Sequence, residues 1–304
     1  MQPTVLETAT LPLSYSPKNV FNYITAAIFS QLFLEANLMK KQFKLGIIGC
    51  GSVATAVLRG VVLSDFIREK KIIVSDCDPK KLDAVNYLGV RTTDDNKFVA
   101  ENSEYVLLAV NSKDFAAVAK SIEGVRPEKV ISAISGVSKA TVKNSLGVGL
   151  IKVARFVPNA ACTIGSGAIA IDMLDYNKST DDTDFLSTVF GFLGTVVSTE
   201  ESKLDAAEGV NCPVSTLILI DSLVDAGVKN GLTKNEAKIL AVQTVLGAAE
   251  MVSREEESVS ELISCVCKGN SVALETVKTL ESVGYRSGII KAVDASAEKC
   301  KENK

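Results

Sequence analysis

Lys44-Leu-Gly-Ile-Ile-Gly49-Cys-Gly51-Ser-Val-Ala54 is the stretch that decides the fold of this chain. A short apolar strand runs into a glycine-rich turn of the form G-x-G-x-x-A, and Thr55-Ala-Val-Leu-Arg-Gly-Val-Val-Leu63 opens a helix behind it. Gly49 permits the tight strand-to-helix turn, Gly51 lacks the Cβ that would hold a pyrophosphate off the backbone, and Ala54 lets the helix pack closely on the strand. The helix start offers free N–H groups and the positive end of a dipole to an anion. With a strand before it and a helix after it, the motif predicts a dinucleotide site built on Gly49, Gly51, Ser52, Val53 and Ala54.

Composition bounds the rest. The chain has 304 residues, 47% of them hydrophobic, with few aromatics and no Trp. That length suffices for two domains with buried cores. A net charge of −3 leaves no basic patch and argues against nucleic acid as a partner. Cys50, Cys77, Cys162, Cys212, Cys265, Cys267 and Cys300 are odd in number and scattered, without a C-x-x-C. They read as reduced thiols of a cytoplasmic protein. Cys265-Val-Cys267 has no second ligand pair, and the chain has no histidine, so no metal site is expected. The missing histidine also excludes Ser-His-Asp and Cys-His nucleophilic catalysis.

Residues 1–40 differ from the rest of the chain and read as an extension, disordered or an artefact of the assigned start; Met39 directly precedes the first strand. The apolar run 20–38 is interrupted by Asn22, Gln31, Glu35 and Asn37, too polar for a membrane span, and no membrane partner is expected. A docking helix is the alternative for this segment.

Over 41–200 strands and helices alternate. Strands are expected at 71–75, 105–110, 129–133, 151–156 and 167–171, with helices at 79–88, 114–122 and 183–193. Short apolar strands between helices predict a mostly parallel sheet covered on both faces, an α/β Rossmann-type domain. Over 201–304 the chain reads as helix after helix: 215–230, 234–253, 271–283 and 286–301. Thr233 with Glu236 forms a capping box for the second of these. The segments 217–223 and 239–246 are hydrophobic on more than one face, and about 100 residues cannot bury two such helices alone. An all-α dimerisation domain is therefore expected, in a homodimer or a higher homo-oligomer of dimers; covering of both helices by the sheet domain is the alternative.

This second half resembles a known family. Asp221-Ser-Leu-Val-Asp-Ala-Gly-Val-Lys-Asn-Gly-Leu-Thr233, Ala241-Val-Gln-Thr-Val-Leu-Gly-Ala-Ala-Glu-Met251, Leu280-Glu-Ser-Val-Gly-Tyr-Arg-Ser287 and Lys291-Ala-Val-Asp-Ala-Ser296 are similar to pyrroline-5-carboxylate reductases. So are Ile131-Ser-Ala-Ile-Ser-Gly-Val-Ser138, Val157-Pro-Asn159 and the glycine fingerprint, in order and from Phe43 to the C-terminus. The resemblance implies a helical domain interleaved in a dimer and hydride transfer from NAD(P)H to a cyclic imine, pyrroline-5-carboxylate to proline. A protonated imine is already electrophilic, so orientation and electrostatics carry such a reaction without imidazole. The alternatives are a catalytically impaired paralogue holding NAD(P) as a structural or regulatory ligand, and a reductase of a related imine or keto acid.

The cofactor half keeps most family positions. After the second strand, Asp76 is placed to accept from a ribose 2′-OH, which favours NAD. Ser75, Lys80 and Lys81 are placed to hold a 2′-phosphate, and the resemblance leans to NADP. Asp78-Pro-Lys alternatively only caps the next helix. Asn96 matches an asparagine that the family uses near the adenosine, Ala109 and Val110 end the next strand, and Asn111 stands where the family has lysine. Pro158 and Asn159 match a turn beside the nicotinamide.

The substrate half departs from the family. The run Ser-Gly-Ser-Gly-Pro-Ala-Tyr is replaced by Gly209-Val-Asn-Cys-Pro213-Val-Ser215, which puts Cys212 in the pocket as packing. The carboxylate-binding run Ser-Pro-Gly-Gly-Thr-Thr is replaced by Lys268-Gly-Asn-Ser-Val-Ala273. Lys268, Gly269, Asn270 and Ser271 are the expected substrate contacts if this loop still binds an anion; otherwise Lys268 is a solvated surface residue.

Overall fold

Phe43–Ile48 forms strand β1 in the computed structural model, which describes residues 41–147, 151–269 and 272–302. The chain divides into two units, 1–42 and 43–304, and every strand and helix named here belongs to the second. The expected extension over 1–40 lies outside the described residues.

Among the described residues eight strands succeed one another in chain order: β1, β2 (Ile72–Ser75), β3 (Arg91–Thr93), β4 (Ser103–Leu108), β5 (Lys129–Ser132), β6 (Lys152–Pro158), β7 (Gly167–Asp172) and β8 (Gly194–Ser198). They make one sheet in the order β3-β2-β1-β4-β5-β6-β7-β8. All neighbouring pairs are parallel except β6–β7, whose connection is too short for a crossover helix. The helices beside the sheet are α1 (Ser52–Leu63), α2 (Pro79–Asp83), α3 (Asn96–Asn102), α4 (Phe115–Ser121), α5 (Lys139–Leu146) and α6 (Thr180–Gly191).

Period-2 alternation distributes each central strand between two cores. Leu45, Ile47, Tyr105 and Leu107 bury with α1 and α6 on one face. Ile48, Val106 and Leu108 bury with α3, α4 and α5 on the other. The expected strands are all present. Strands β3 and β8 add to the expected set; Arg91-Thr-Thr93 has no apolar residue to signal a strand. The expected helix 79–88 closes early, with α2 ending at Asp83 and a separate turn at Asn86–Leu88.

An ionic cluster ties α6 to the start of the parallel strands. Asp182 accepts from Lys129 Nζ at 2.7 Å, from Lys152 Nζ at 3.2 Å and, in a short contact, from the Tyr105 hydroxyl. Tyr105 stacks on Phe185 with ring centroids 4.1 Å apart. Burial raises the Asp182 carboxyl, but Lys129, Tyr105 and Lys152 more than offset it and hold it below the ordinary carboxylate range. A depressed folded pKa stabilises above the unfolded value, about 3.9, and that stability is lost as the pH falls below it. Asp182→Asn should therefore lower stability by about 3 kcal/mol at neutral pH and flatten the acid limb of a plot of melting temperature against pH.

Beyond β8 the chain is helical: α7 (Leu204–Asn211), α8 (Val214–Lys229), α9 (Lys234–Arg254), α10 (Val259–Val266), α11 (Val272–Ser282) and α12 (Tyr285–Glu302). Thr233 and Glu236 make the expected reciprocal cap on α9. Helix α7 rests on β6 and β7 and packs along α12, while α8 and α9 pair with each other. Their shared core is small: Val224, Ala237 and Ala241. Leu217, Ile218, Ile239, Leu240 and Leu246 remain 56% to 62% exposed. The sheet domain does not cover them, and an apolar surface of this extent on one copy marks an interface. The stretch Glu201–Lys229 is long and apolar enough to cross a membrane by length and composition alone. Within it the helix stops at Asn211 and restarts at Val214, after Pro213.

Candidate active site

The turn after β1 is built as a cradle. Gly49 sits at φ +96°, where an L side chain is strained, and a Cβ there would lie 2.5 Å from the Ala109 carbonyl oxygen. Its N–H donates to the Ser75 carbonyl at 2.7 Å, which docks the turn on the end of β2. A Cβ on Gly51 would meet nothing within 4 Å, so this side of the turn is open. Helix α1 starts there without a side-chain cap and with no acidic residue in its first turn. Its first amides have no intrahelical acceptor and face the opening, which suits a pyrophosphate.

The opening is a cleft of about 390 Å³ across the carboxyl ends of β2, β1, β4 and β5, the usual ligand position in an open α/β sheet. Of the expected cofactor residues, Gly49, Gly51, Ser52, Val53, Asn96, Ala109, Val110 and Asn111 line it. The other five do not. Ala54 is buried in the core under α1, where its small side chain sets the helix-to-strand distance. Ser75 is also fully buried, and its hydroxyl donates to Asn96 Oδ1 at 2.7 Å; it positions Asn96 and has no access to a phosphate. Lys80 is exposed at the start of α2, where its amide donates to Asp78 Oδ1 at 3.0 Å, and Lys81, the next residue, lines the cleft. Pro158 and Asn159 lie beyond β5, and the Asn159 side chain accepts from the Ala168 amide at 3.3 Å across the β6–β7 turn.

Asp76 is a brace for the turn. Its Oδ2 accepts from the Cys50 amide at 2.7 Å and from Lys81 Nζ at 3.4 Å, and its Oδ1 accepts from the Asp78 amide at 2.9 Å. Burial raises this carboxyl, but the amides of Cys50 and Asp78, with Lys81, hold it below the ordinary range. The nearby Cys50 thiol is pushed up by burial and by the Asp76 charge, and donates to the Lys81 carbonyl at 3.4 Å. It is held as a neutral packing group.

The expected substrate residues are not gathered in one place. Cys212 lines a second cavity of about 630 Å³ between α7, α8, α11 and α12, with Gly209, Ser215 and Tyr285. Gly269, at φ +66°, and Lys268 come directly after α10, beside a third, apolar cavity of about 370 Å³ lined by Met251, Val266, Cys267 and Ala273. Asn270 and Ser271 lie outside the described residues. Neither Lys268 nor Gly269 reaches the cofactor cleft of its own chain. Ser135 does line that cleft, although in the sequence it is only one residue of the family-like run 131–138; nothing in its spacing marks it as a site residue.

Comparisons with known proteins divide along the same line as the elements. Residues 201–303 match the family model for pyrroline-5-carboxylate reductase dimerisation, and residues 44–136 match that for coenzyme F420-dependent NADP oxidoreductases. The pyrroline-5-carboxylate reductase of Synechocystis is 32% identical over 265 residues, covering 85% of this chain and 97% of the relative. That of Methanosarcina acetivorans is 30% identical over 264 residues, with coverages of 85% and 97%. Among solved structures, a pyrroline-5-carboxylate reductase from Coxiella burnetii has a TM-score of 0.77 at 27% identity, covering 86% of this chain and 98% of that one. The pyrroline carboxylate reductase of Plasmodium falciparum with NADP bound has a TM-score of 0.77 at 24% identity, with the same coverages. Glycine cradle, strand-end cleft and apolar helical half thus coincide with the sequence relationship over most of the chain: the protein belongs to the pyrroline-5-carboxylate reductase family.

Proposed function

We propose that this chain reduces the cyclic imine pyrroline-5-carboxylate to proline with a nicotinamide cofactor, and that NADPH is preferred. The observation that carries the reading is the open side of Gly51 at the uncapped start of α1, within a cleft that crosses four strand ends. The cofactor, when bound, supplies a hydride. The pyrophosphate lies against the first amides of α1, the adenosine end lies toward Asp76 and Lys81 after β2, and the nicotinamide end lies toward Ala133 and Ser135 after β5. Binding in this groove fixes the donor relative to the imine, and such orientation replaces much of the barrier.

Asp76 already accepts two amides and the Lys81 ammonium, which leaves it little capacity for a ribose hydroxyl. Lys81, half exposed at the cleft, is the cation available to a 2′-phosphate. Lys81→Ala should raise KM for NADPH about tenfold and leave that for NADH nearly unchanged, since one charge-assisted contact contributes about 1.5 kcal/mol. Equal losses for both cofactors would contradict this preference.

On this reading residues 41–200 form the cofactor half and 201–304 the substrate and dimerisation half. The assembly is a homodimer or an oligomer of dimers, and the loop carrying Lys268 and Gly269 serves the cleft of a second copy. All seven cysteines are free, in accord with a reducing cytoplasm. The test is the oxidation of NADPH with pyrroline-5-carboxylate, alongside a panel of related imines and keto acids. Turnover on the first substrate supports the reading, and turnover only on another moves it to that substrate. Tight cofactor binding without turnover on any member contradicts it in favour of a nucleotide-holding paralogue.

A further inference from the structure

We propose that the carboxylate of Glu208 receives the protonated ring nitrogen of the substrate; this role rests on the reductase reading. Glu208 lies on α7, and its Oε1 accepts from the Ser135 hydroxyl at 2.8 Å, a contact between residues 73 apart in sequence. Ser135 lines the cofactor cleft after β5, three strands away from Asp76 and the adenosine end. The next residue of the helix, Gly209, lines the second cavity with Cys212. Glu208 thus fastens α7 to the Ser135 turn at the nicotinamide end of the cleft, one residue before Gly209 of the second cavity.

The charges around it point to a missing cation. Arg155 on β6 is 1% exposed, with its guanidinium 3.7 Å from Glu201 and 3.6 Å from Asp205. Glu208, the third acid of this segment, makes no ion pair among the described residues. Its Oε2 is buried with no nitrogen or oxygen donor on it. The group facing it is the Cys300 thiol of α12, pushed up to about 11 by burial, by its bond to Glu208 and by the acidic charges, and therefore neutral. On the elements packed against α7, Lys152 pairs with Asp182, Asp172 with Lys139, Lys203 with Glu200, Arg286 with Glu281 and Lys299 with Glu302, while Lys291, Asp294, Glu298 and Lys301 of α12 are exposed to solvent. A half-buried carboxylate without a counter-ion is costly, and a cationic ligand relieves that cost.

An imine becomes a good hydride acceptor only when its nitrogen is protonated. A carboxylate within a few ångströms raises the nitrogen pKa and keeps it protonated at neutral pH. Hydride, with its electron pair, then adds to the carbon of the C=N bond. The π pair moves to nitrogen, which keeps its proton and becomes a secondary amine, taking a further proton from solvent on release. Glu208 exchanges no atom in the step.

Glu208→Gln separates this role from a merely structural one, because the amide oxygen still accepts from Ser135 while the charge is gone. The variant should bind NADPH as tightly as the parent by cofactor fluorescence and should melt no lower. The alkaline limb of its kcat/KM profile should fall by about one pH unit, and proline should bind the complex with oxidised cofactor about tenfold more weakly. An active parent with a variant whose pH limb and proline affinity are unchanged overturns the role of Glu208 alone. If Glu208→Ala lowers activity while Glu208→Gln does not, Glu208 only fastens α7 to the Ser135 turn, and the proposal is overturned. A parent with no imine-dependent turnover overturns the reductase reading and this role with it.

Discussion

Replacing Gly51 with valine should lower stability by no more than about 1 kcal/mol, the difference between the two residues at a helix N-cap, and weaken NADPH binding by about 100-fold or more, roughly 2.8 kcal/mol. Gly51 has φ −83° and ψ −168°, a conformation that valine adopts without strain. A Cβ there meets nothing within 4 Å, so the substitution costs the fold little beyond the N-cap preference. The only thing displaced is whatever lies against the first amides of α1, and a pyrophosphate held off by a side chain loses those bonds together. Gly49→Ala is the contrasting substitution. At φ +96°, with the Ala109 carbonyl 2.5 Å from the added carbon, it should cost about 2 kcal/mol or more of stability as well as binding. Binding by titration and melting by calorimetry separate the two. Gly51→Val binding NADPH like the parent would remove the cofactor site from this turn.

The second large effect concerns the helical half. The double variant Ile218→Asp, Leu246→Asp should be monomeric by light scattering and should lose more than about tenfold in turnover. Both side chains are about 60% exposed in a single copy, on helices whose shared core is only Val224, Ala237 and Ala241. Charges buried in an apolar contact cost several kcal/mol each, enough to dissociate a dimer, whereas on a free surface they cost little. Turnover falls with assembly because Lys268 and Gly269 do not reach the cofactor cleft of their own chain. A variant that remains dimeric would place the interface on another face, and a fully active monomer would place the whole site within one chain.

Much of the cofactor half was legible in the sequence because backbone requirements there leave signatures in residue type. Gly49 needs a positive φ, Gly51 needs an absent Cβ, and strand and helix periods flank them. What residue type does not decide is the choice between adjacent residues. Ser75 and Lys80 carry suitable chemistry, but Lys81 is the lysine that lines the cleft, and the Ser75 hydroxyl is spent on Asn96. Pro158 ends β6 beside β5, and the side chain of Asn159, the next residue, is taken up by the Ala168 amide. Strand β3 passed unnoticed because an edge strand of Arg91-Thr-Thr93 has no apolar signal. Glu208 was invisible for a different reason: its meaning comes from Ser135, brought beside it by the docking of α7 on the sheet. The exposed apolar helices, by contrast, were legible as a burial deficit, since 103 residues of the dimerisation family cannot enclose them in one copy.

The most direct measurement of the central claim tracks the hydride itself. NADPH carrying deuterium at the transferred position, incubated with the protein and pyrroline-5-carboxylate, should yield proline with a single deuterium on the former imine carbon, at a rate abolished by Gly51→Val. Cofactor that binds in the cleft while the recovered proline carries no label above the protein-free control would contradict the account.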